Sequence, residues 1–179
     1  MSVKEVMSEI ETLRNLKNDA ILNLIEYYVV EEESHVYVIT EILYGGAVLD
    51  AILKMKDERY TEAEAKVVVQ RTLVGIEYMH ANLVVHRDLK PENILIMGDG
   101  VERGLIKIAD FGLARKIDTL ARPLDENGPV VTLWYRAPEL LLGAKHYDEK
   151  IDAWAAGAIF GELANLAPLF RGVEEAPHA

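Results

Sequence analysis

Val3, Val6, Met7, Ile10, Leu13 and Leu16 recur at steps of three and four residues. That spacing lays one apolar stripe along a helix. Two runs rich in β-branched and aromatic side chains follow, Ile21–Val30 and His35–Thr40, split by Glu31, Glu32, Glu33 and Ser34. They predict a hairpin with a solvated acidic turn. Gly45-Gly46 interrupts the pattern, and a short helix is expected around Val48–Lys56. Thr61-Glu62-Ala63-Glu64 has the form of a capping box, in which hydroxyl and carboxylate satisfy the first free amides of a helix. That helix should run to about Met79, with Val69, Leu73 and Ile76 toward the core. Farther on, the apolar pieces Leu83–Val85, Ile94–Met97 and Ile106–Ile108 sit between charged and Gly-bearing loops. A last helix is predicted from about Asp148 to Asn165, with Ile151, Trp154, Ala155, Ala158, Ile159 and Leu163 on one face. Helix and hairpin first, mostly helix later, joined near Leu43–Gly46, suggest an α+β chain in two unequal lobes.

Composition narrows the function. The chain has 179 residues, enough for one domain with a real core. Its 30 acidic side chains against 19 basic ones give a net charge of −11. Phosphate backbones need a basic surface, so a nucleic-acid partner is not expected. Without cysteine there is no disulfide, thiolate zinc site or cysteine nucleophile. No segment reads as a signal peptide, and the apolar runs are too short to span a bilayer, so no membrane partner is expected. The expectation is an intracellular protein of the nucleus or cytoplasm.

Three motifs then stand in order. The first is His86-Arg87-Asp88-Leu89-Lys90-Pro91-Glu92-Asn93. Seventeen positions after Asn93 comes Asp110-Phe111-Gly112, and Ala137-Pro138-Glu139 follows. One alone is weak evidence, but three in order make a chance match implausible. They are the recognised signature of the eukaryotic protein kinases, and the chain resembles that family. The resemblance implies a two-lobed kinase-like fold and transfer of the γ-phosphoryl of ATP to a protein hydroxyl, with ATP and Mg²⁺ as cofactors. Phosphoryl transfer asks a protein mainly for positioning and charge neutralisation. Asp88 would orient the substrate hydroxyl and accept its proton, and Lys90 can reach the transferred group as a point charge. Asn93 and Asp110 offer hard oxygen ligands that suit Mg²⁺. Gly112 permits the bend that aims Asp110.

Other positions match the family one by one. Glu9 stands where kinases keep the helix glutamate that pairs with a strand lysine. Thr40 resembles the gatekeeper, and Glu41 to Leu43 resemble the hinge that holds adenine through backbone groups, with Leu95 also assigned to the nucleotide. Thr132 occupies the position that bridges the catalytic aspartate and lysine in serine/threonine kinases. His86 should pack in a core stack beneath Phe111. Asp152 resembles the buried aspartate that anchors the catalytic loop; the alternative is a charge at a helix N-terminus.

Val131-Thr132-Leu133-Trp134-Tyr135-Arg136 resembles the cyclin-dependent and mitogen-activated group, and Ala81 through Asp110 resembles the Mediator-type cyclin-dependent kinases. Tyr37–Asp50 and Tyr60–His80 are more similar to calcium/calmodulin-dependent kinases, although Ala47 replaces a glutamate expected there. A divergent lineage, a fusion and a designed sequence each account for that mosaic. In the activation segment, Asn127 falls where cyclin-dependent kinases carry their activating threonine. Asp125 and Glu126 beside it either replace a phosphate against Arg87 and Arg115 or make no such contact.

Measured against the family, the chain starts at the helix that follows the Gly-rich loop and strand lysine, and stops short of the later helices. It reads as a partial kinase domain: residues 1–43 a remnant of the small lobe and hinge, residues 44–179 a partial, mostly helical large lobe. The leading expectation is a serine/threonine kinase acting on a protein substrate. The rivals are a non-catalytic binding module and a fragment without function. A cyclin partner is implied by family only, since residues 2–8 do not resemble the cyclin-gripping helix of the best-known members.

Overall fold

A computed structural model describes residues 3–30, 35–50, 61–98, 105–117 and 133–172. The chain opens with helix α1 (Val3–Asn15) and the antiparallel strands β1 (Leu24–Val30) and β2 (His35–Thr40). The long helix α2 (Glu62–Ala81) leads to the short strand β3 (Val84–Val85). Strands β4 (Ile94–Ile96) and β5 (Ile106–Ile108) form one ribbon, and β3 pairs with β6 (Arg115–Lys116) in another. The short helix α3 (Pro138–Leu141) and the helix α4 (Lys150–Asn165) complete the order.

The expected hairpin is present, though shorter at its start. Strand β1 begins at Leu24, because Ile21 is drawn off to a separate bridge with Ile108. A bulge falls between Leu24 and Glu26. The turn residues 31–34 lie outside the described residues. A helix opens at residues 48–50, and the rest of its expected span also lies outside them. The capping box at the start of α2 forms as read: the Thr61 hydroxyl accepts from the Glu64 amide, and the Glu64 carboxylate accepts from the Thr61 amide at 2.8 Å.

The apolar stripe of α2 differs from expectation by one position. Val68, Thr72, Gly75, Ile76 and Met79 are buried, and Leu73 is 48% exposed. Gly75 allows this rotation. A Cβ there would stand 2.7 Å from the Ile108 side chain and 3.2 Å from the Ala20 carbonyl oxygen. The helix can therefore press its smallest residue onto β5, which turns Ile76 inward and leaves Val74 exposed. The polar member of the stripe, Thr72, returns its hydroxyl to the Val68 carbonyl and leaves no donor unsatisfied.

Helix α4 packs against α2, and its Ala155, Ala158, Ile159 and Leu163 join the main core, while Ile151 packs with Val85 and Ala137 in a smaller cluster. Its Trp154, expected on the same face, is half-exposed and stacks on Phe170 instead. The main core runs from Ile10 and Leu13 of α1 and Leu16 just after it, through Met79 and Ile108, to Phe111. The hairpin contributes little to it: Ile25, Tyr28, Val29, Tyr37, Val38 and Ile39 are exposed. No helix among the described residues is long and apolar enough to cross a membrane.

Candidate active site

Strand β3 delivers the chain into the segment His86–Asn93, and a carboxylate from α4 holds it there. Asp152 Oδ2 accepts from the His86 amide at 2.8 Å, and Oδ1 accepts from the Arg87 amide at 2.9 Å. His80 Nε2 lies 2.9 Å from the same Oδ2. Two successive amides aimed at one carboxylate require a sharp backbone turn, and Arg87 supplies it with φ of +71°. A left-handed φ is costly for a residue with a Cβ, so the loop is strained and held by its partners. His86 is fully buried. Its ring meets Phe111 edge-on, 5.0 Å between centroids, and its Nε2 lies 3.0 Å from the Ala109 carbonyl oxygen.

With the turn fixed, the reactive groups gather. Lys90 Nζ is 2.8 Å from Asp88 Oδ2. Asn93 Nδ2 donates to the Asp88 carbonyl at 2.8 Å and reaches Oδ2 at 3.2 Å. One carboxylate therefore has an ammonium and an amide beside it, and the amide oxygen of Asn93 is left for another partner. The Ala109 amide donates to the Asn93 carbonyl at 2.9 Å, which brings Asp110 to the same end of the β4–β5 ribbon. Asp110 is exposed and has φ of +63°. The sequence reading gave that bend to Gly112. The left-handed residue is Asp110 itself, while positive φ among the described glycines occurs at Gly46 and Gly143.

Asn93 and Asp110 are two hard oxygen donors, a protein contribution with which Mg²⁺ is commonly held alongside water and phosphate. The donor set fits that ion. Glu9 of α1 stands close by: burial raises its carboxyl above the usual range, the Asp110 charge raises it further, and the Phe111 amide opposes both.

Behind these groups runs the connector after β2. Thr40 closes β2 opposite Leu24. The Glu41 amide donates to the Asn23 carbonyl at 3.1 Å. Leu43 is half-buried, and its carbonyl receives the Gly46 amide at 3.5 Å. The connector ends against β4: Gly45 donates to Ile96 and Ile96 donates to Gly46. A Cβ on Gly45 would stand 2.6 Å from the Ile96 carbonyl oxygen, so only glycine allows this approach. Leu95 lies between Ala47 and Lys107 on the ribbon. Thr132, Asp125, Glu126 and Asn127 lie outside the described residues.

A family model described as the protein kinase domain matches residues 1–178. This chain belongs to the protein kinase family. Its kinase fold is similar to a chain in the crystal structure of the yeast RNA Pol II CTD kinase CTDK-1 complex, with a TM-score of 0.79 and 35% identity. That likeness covers 95% of this chain and 53% of the other. Cyclin-dependent kinase 8 of Drosophila melanogaster is 46% identical over 178 residues, and cyclin-dependent kinase E-1 of Arabidopsis thaliana 42% over 170. Each match covers 93% of this kinase chain, but only 38% and 36% of the respective relative. The chain thus spans well under half the length of those relatives.

Further contacts that the motifs alone do not specify surround this site. Arg87 donates from Nε to the Leu113 carbonyl at 2.6 Å and from its terminal nitrogen to the Tyr147 hydroxyl at 3.0 Å. Burial lowers the Arg87 pKa, Tyr147 opposes that, and the charges of Arg115 and Arg136 lower it further. Tyr135 donates its hydroxyl to Glu162 Oε2 at 2.5 Å within the core. Burial foremost, and then the carboxylate, push the Tyr135 phenol up; burial also raises Glu162. Glu41, expected to serve through its backbone, also uses its side chain: Oε1 meets Lys107 Nζ at 2.9 Å. Arg87, Tyr135 and Arg136 lie in stretches where spacing draws attention to them, whereas Lys107, Tyr147 and Glu162 do not.

Proposed function

We propose that this chain carries the catalytic centre of a cyclin-dependent-type protein serine/threonine kinase, which moves the γ-phosphoryl of ATP to a protein hydroxyl. The observation that carries the reading is the arrangement around Asp88, with Lys90 at 2.8 Å and Asn93 at 3.2 Å on one carboxylate oxygen. Asp88 orients the attacking hydroxyl and takes its proton. Lys90 offsets negative charge on the transferred group. Asn93 and Asp110 hold Mg²⁺, which when bound neutralises charge on the phosphate oxygens. Glu41 and Leu43 receive adenine through backbone groups, and Leu95 lies against it.

Residues 1–43 supply small-lobe elements and the hinge, and residues 44–179 supply large-lobe elements. The preference for Ser/Thr over Tyr follows from Thr132. A cyclin is the partner class that the likeness to cyclin-dependent kinases favours. A protein substrate and a nuclear site of action fit the likeness to a kinase named for the RNA polymerase II CTD.

The test is transfer of labelled γ-phosphoryl from MgATP to a general protein substrate. Label is expected on Ser and Thr, and Lys90→Met should lower its rate by about a hundredfold, in the range for removing one preorganised charge from a developing transition state. Label on Tyr would overturn the specificity. No label from a folded chain that still binds MgATP would favour a non-catalytic binding module.

A further inference from the structure

Among the described residues, Lys107 is a lysine that the fold buries, with 6% of its surface exposed. It sits in the middle of β5, opposite Leu95. A buried ammonium is tolerated only with a close, well-oriented partner. That partner is Glu41 Oε1, 2.9 Å away and sixty-six residues distant in the chain. The same oxygen accepts from the Asn23 amide at 2.6 Å, while the Glu41 amide donates back to the Asn23 carbonyl at 3.1 Å. Asn23 is tied onward. Its Oδ1 accepts from Lys17 Nζ at 3.0 Å, and the Lys17 amide donates to the Tyr78 hydroxyl of α2 at 2.9 Å.

One carboxylate thus joins three parts of the site. It fixes the connector that offers its carbonyl to a base, the loop ahead of β1, and the strand that presents Asp110 three residues after Lys107. That loop is itself pinned to the strand, because Ile108 donates to Ala20 at 2.8 Å and receives from Leu22 at 2.9 Å. The phosphoryl-transfer chemistry makes no use of the Glu41 side chain or of Lys107. Their geometry instead fixes a separation, the distance from the base-holding carbonyl to the metal-holding carboxylate.

We propose that Glu41 and Lys107 form a latch that registers the hinge against Asp110. They are positioning residues for a ligand that reaches both, and this role rests on the nucleotide-binding reading above. A ligand that touches only the hinge moves with it and does not sense the latch. A ligand that spans hinge and metal does.

The experiment compares adenosine with MgATP on the native chain, on Lys107→Met, which keeps the stem and removes the charge, and on Glu41→Gln. Each variant should weaken MgATP about tenfold, and Lys107→Met should leave adenosine within about twofold, a coupling of ordinary size. The double variant should be no weaker than either single one, since both remove the same pair. Equal losses for both ligands, or no loss for MgATP, would overturn the latch. Hydrogen exchange supplies an arm that needs no nucleotide: the Asn23 amide and the amides of residues 40–43 should exchange faster in the variants, and those of residues 64–66 should not. If the native chain binds neither ligand, faster exchange keeps the latch and removes the nucleotide reading. Unchanged exchange removes the latch itself. Should Lys107→Met fail to fold, Lys107→Gln, which also removes the charge, carries the same comparison.

Discussion

Replacing Asp152 with Ala should destabilise the chain by about 3–5 kcal/mol, the range for stripping a buried charge from its hydrogen-bonded partners. The carboxylate is 1% exposed and receives the amides of His86 and Arg87 together with His80. Its loss leaves the buried His86 amide and the part-buried Arg87 amide without acceptors, at roughly 1–3 kcal/mol for a buried group. It also releases the strained φ of Arg87. The size of the effect separates two roles. A charge that only complements a helix N-terminus is worth about 0.3–1 kcal/mol. Urea unfolding measures the difference directly, as a fall in midpoint with the slope unchanged. A loss near 0.5 kcal/mol would mean that the loop is held elsewhere and Asp152 serves the helix alone. Asp152→Asn, which keeps one carbonyl oxygen, should fall between the native chain and Asp152→Ala.

The second large effect concerns the reaction itself. Asp88→Asn should lower the rate of phosphoryl transfer by about 10²–10⁴-fold, the usual contribution of a positioned general base. Amide and carboxylate are nearly isosteric, so Lys90 and Asn93 should keep their places at 2.8 and 3.2 Å. Asp88 makes no contact that the hinge or Asp110 depends on, so KM for MgATP should stay within about threefold while kcat falls. The two constants together decide the role. A KM that rises with kcat unchanged would place Asp88 in nucleotide binding, and equal rates for the native chain and Asp88→Asn would remove it from catalysis.

The site was legible in the sequence where chemistry fixes both residue type and spacing. Asp88, Lys90 and Asn93 fall within six positions, so a single turn brings them together and the motif carries the geometry with it. Asp152 was legible by family likeness, and its two amide partners at 2.8 and 2.9 Å favour the loop-anchoring role over the helix-end role. Lys107 was not legible. It stands between Ile106 and Ile108, and strand alternation suggests a lysine turned to solvent. Its burial follows from Glu41, which the pattern of β5 does not contain. Tyr135 and Glu162 are likewise twenty-seven residues apart, and only the packing of α4 joins them. Leu73 failed for a different reason. Helical spacing ranks Leu above Thr for the core, but the close approach at Gly75 sets the rotation of α2, so Thr72 turns inward. The bend at Asp110 follows the same lesson: glycine is the residue that sequence reasoning chooses for a left-handed φ, yet the aspartate carries it.

Calorimetric titration of the folded chain with MgATP, beside Asp110→Asn, tests most directly whether these residues form a nucleotide site. Asp110 reaches that site from β5, through the Ala109 amide bonded to the Asn93 carbonyl. Binding by the native chain that weakens at least about tenfold in Asp110→Asn, and becomes independent of Mg²⁺ there, is the expected result, since removal of one of two protein ligands loosens a weakly held hard cation. Equal, Mg²⁺-independent binding by both chains, or no binding by a chain that unfolds cooperatively, would contradict it.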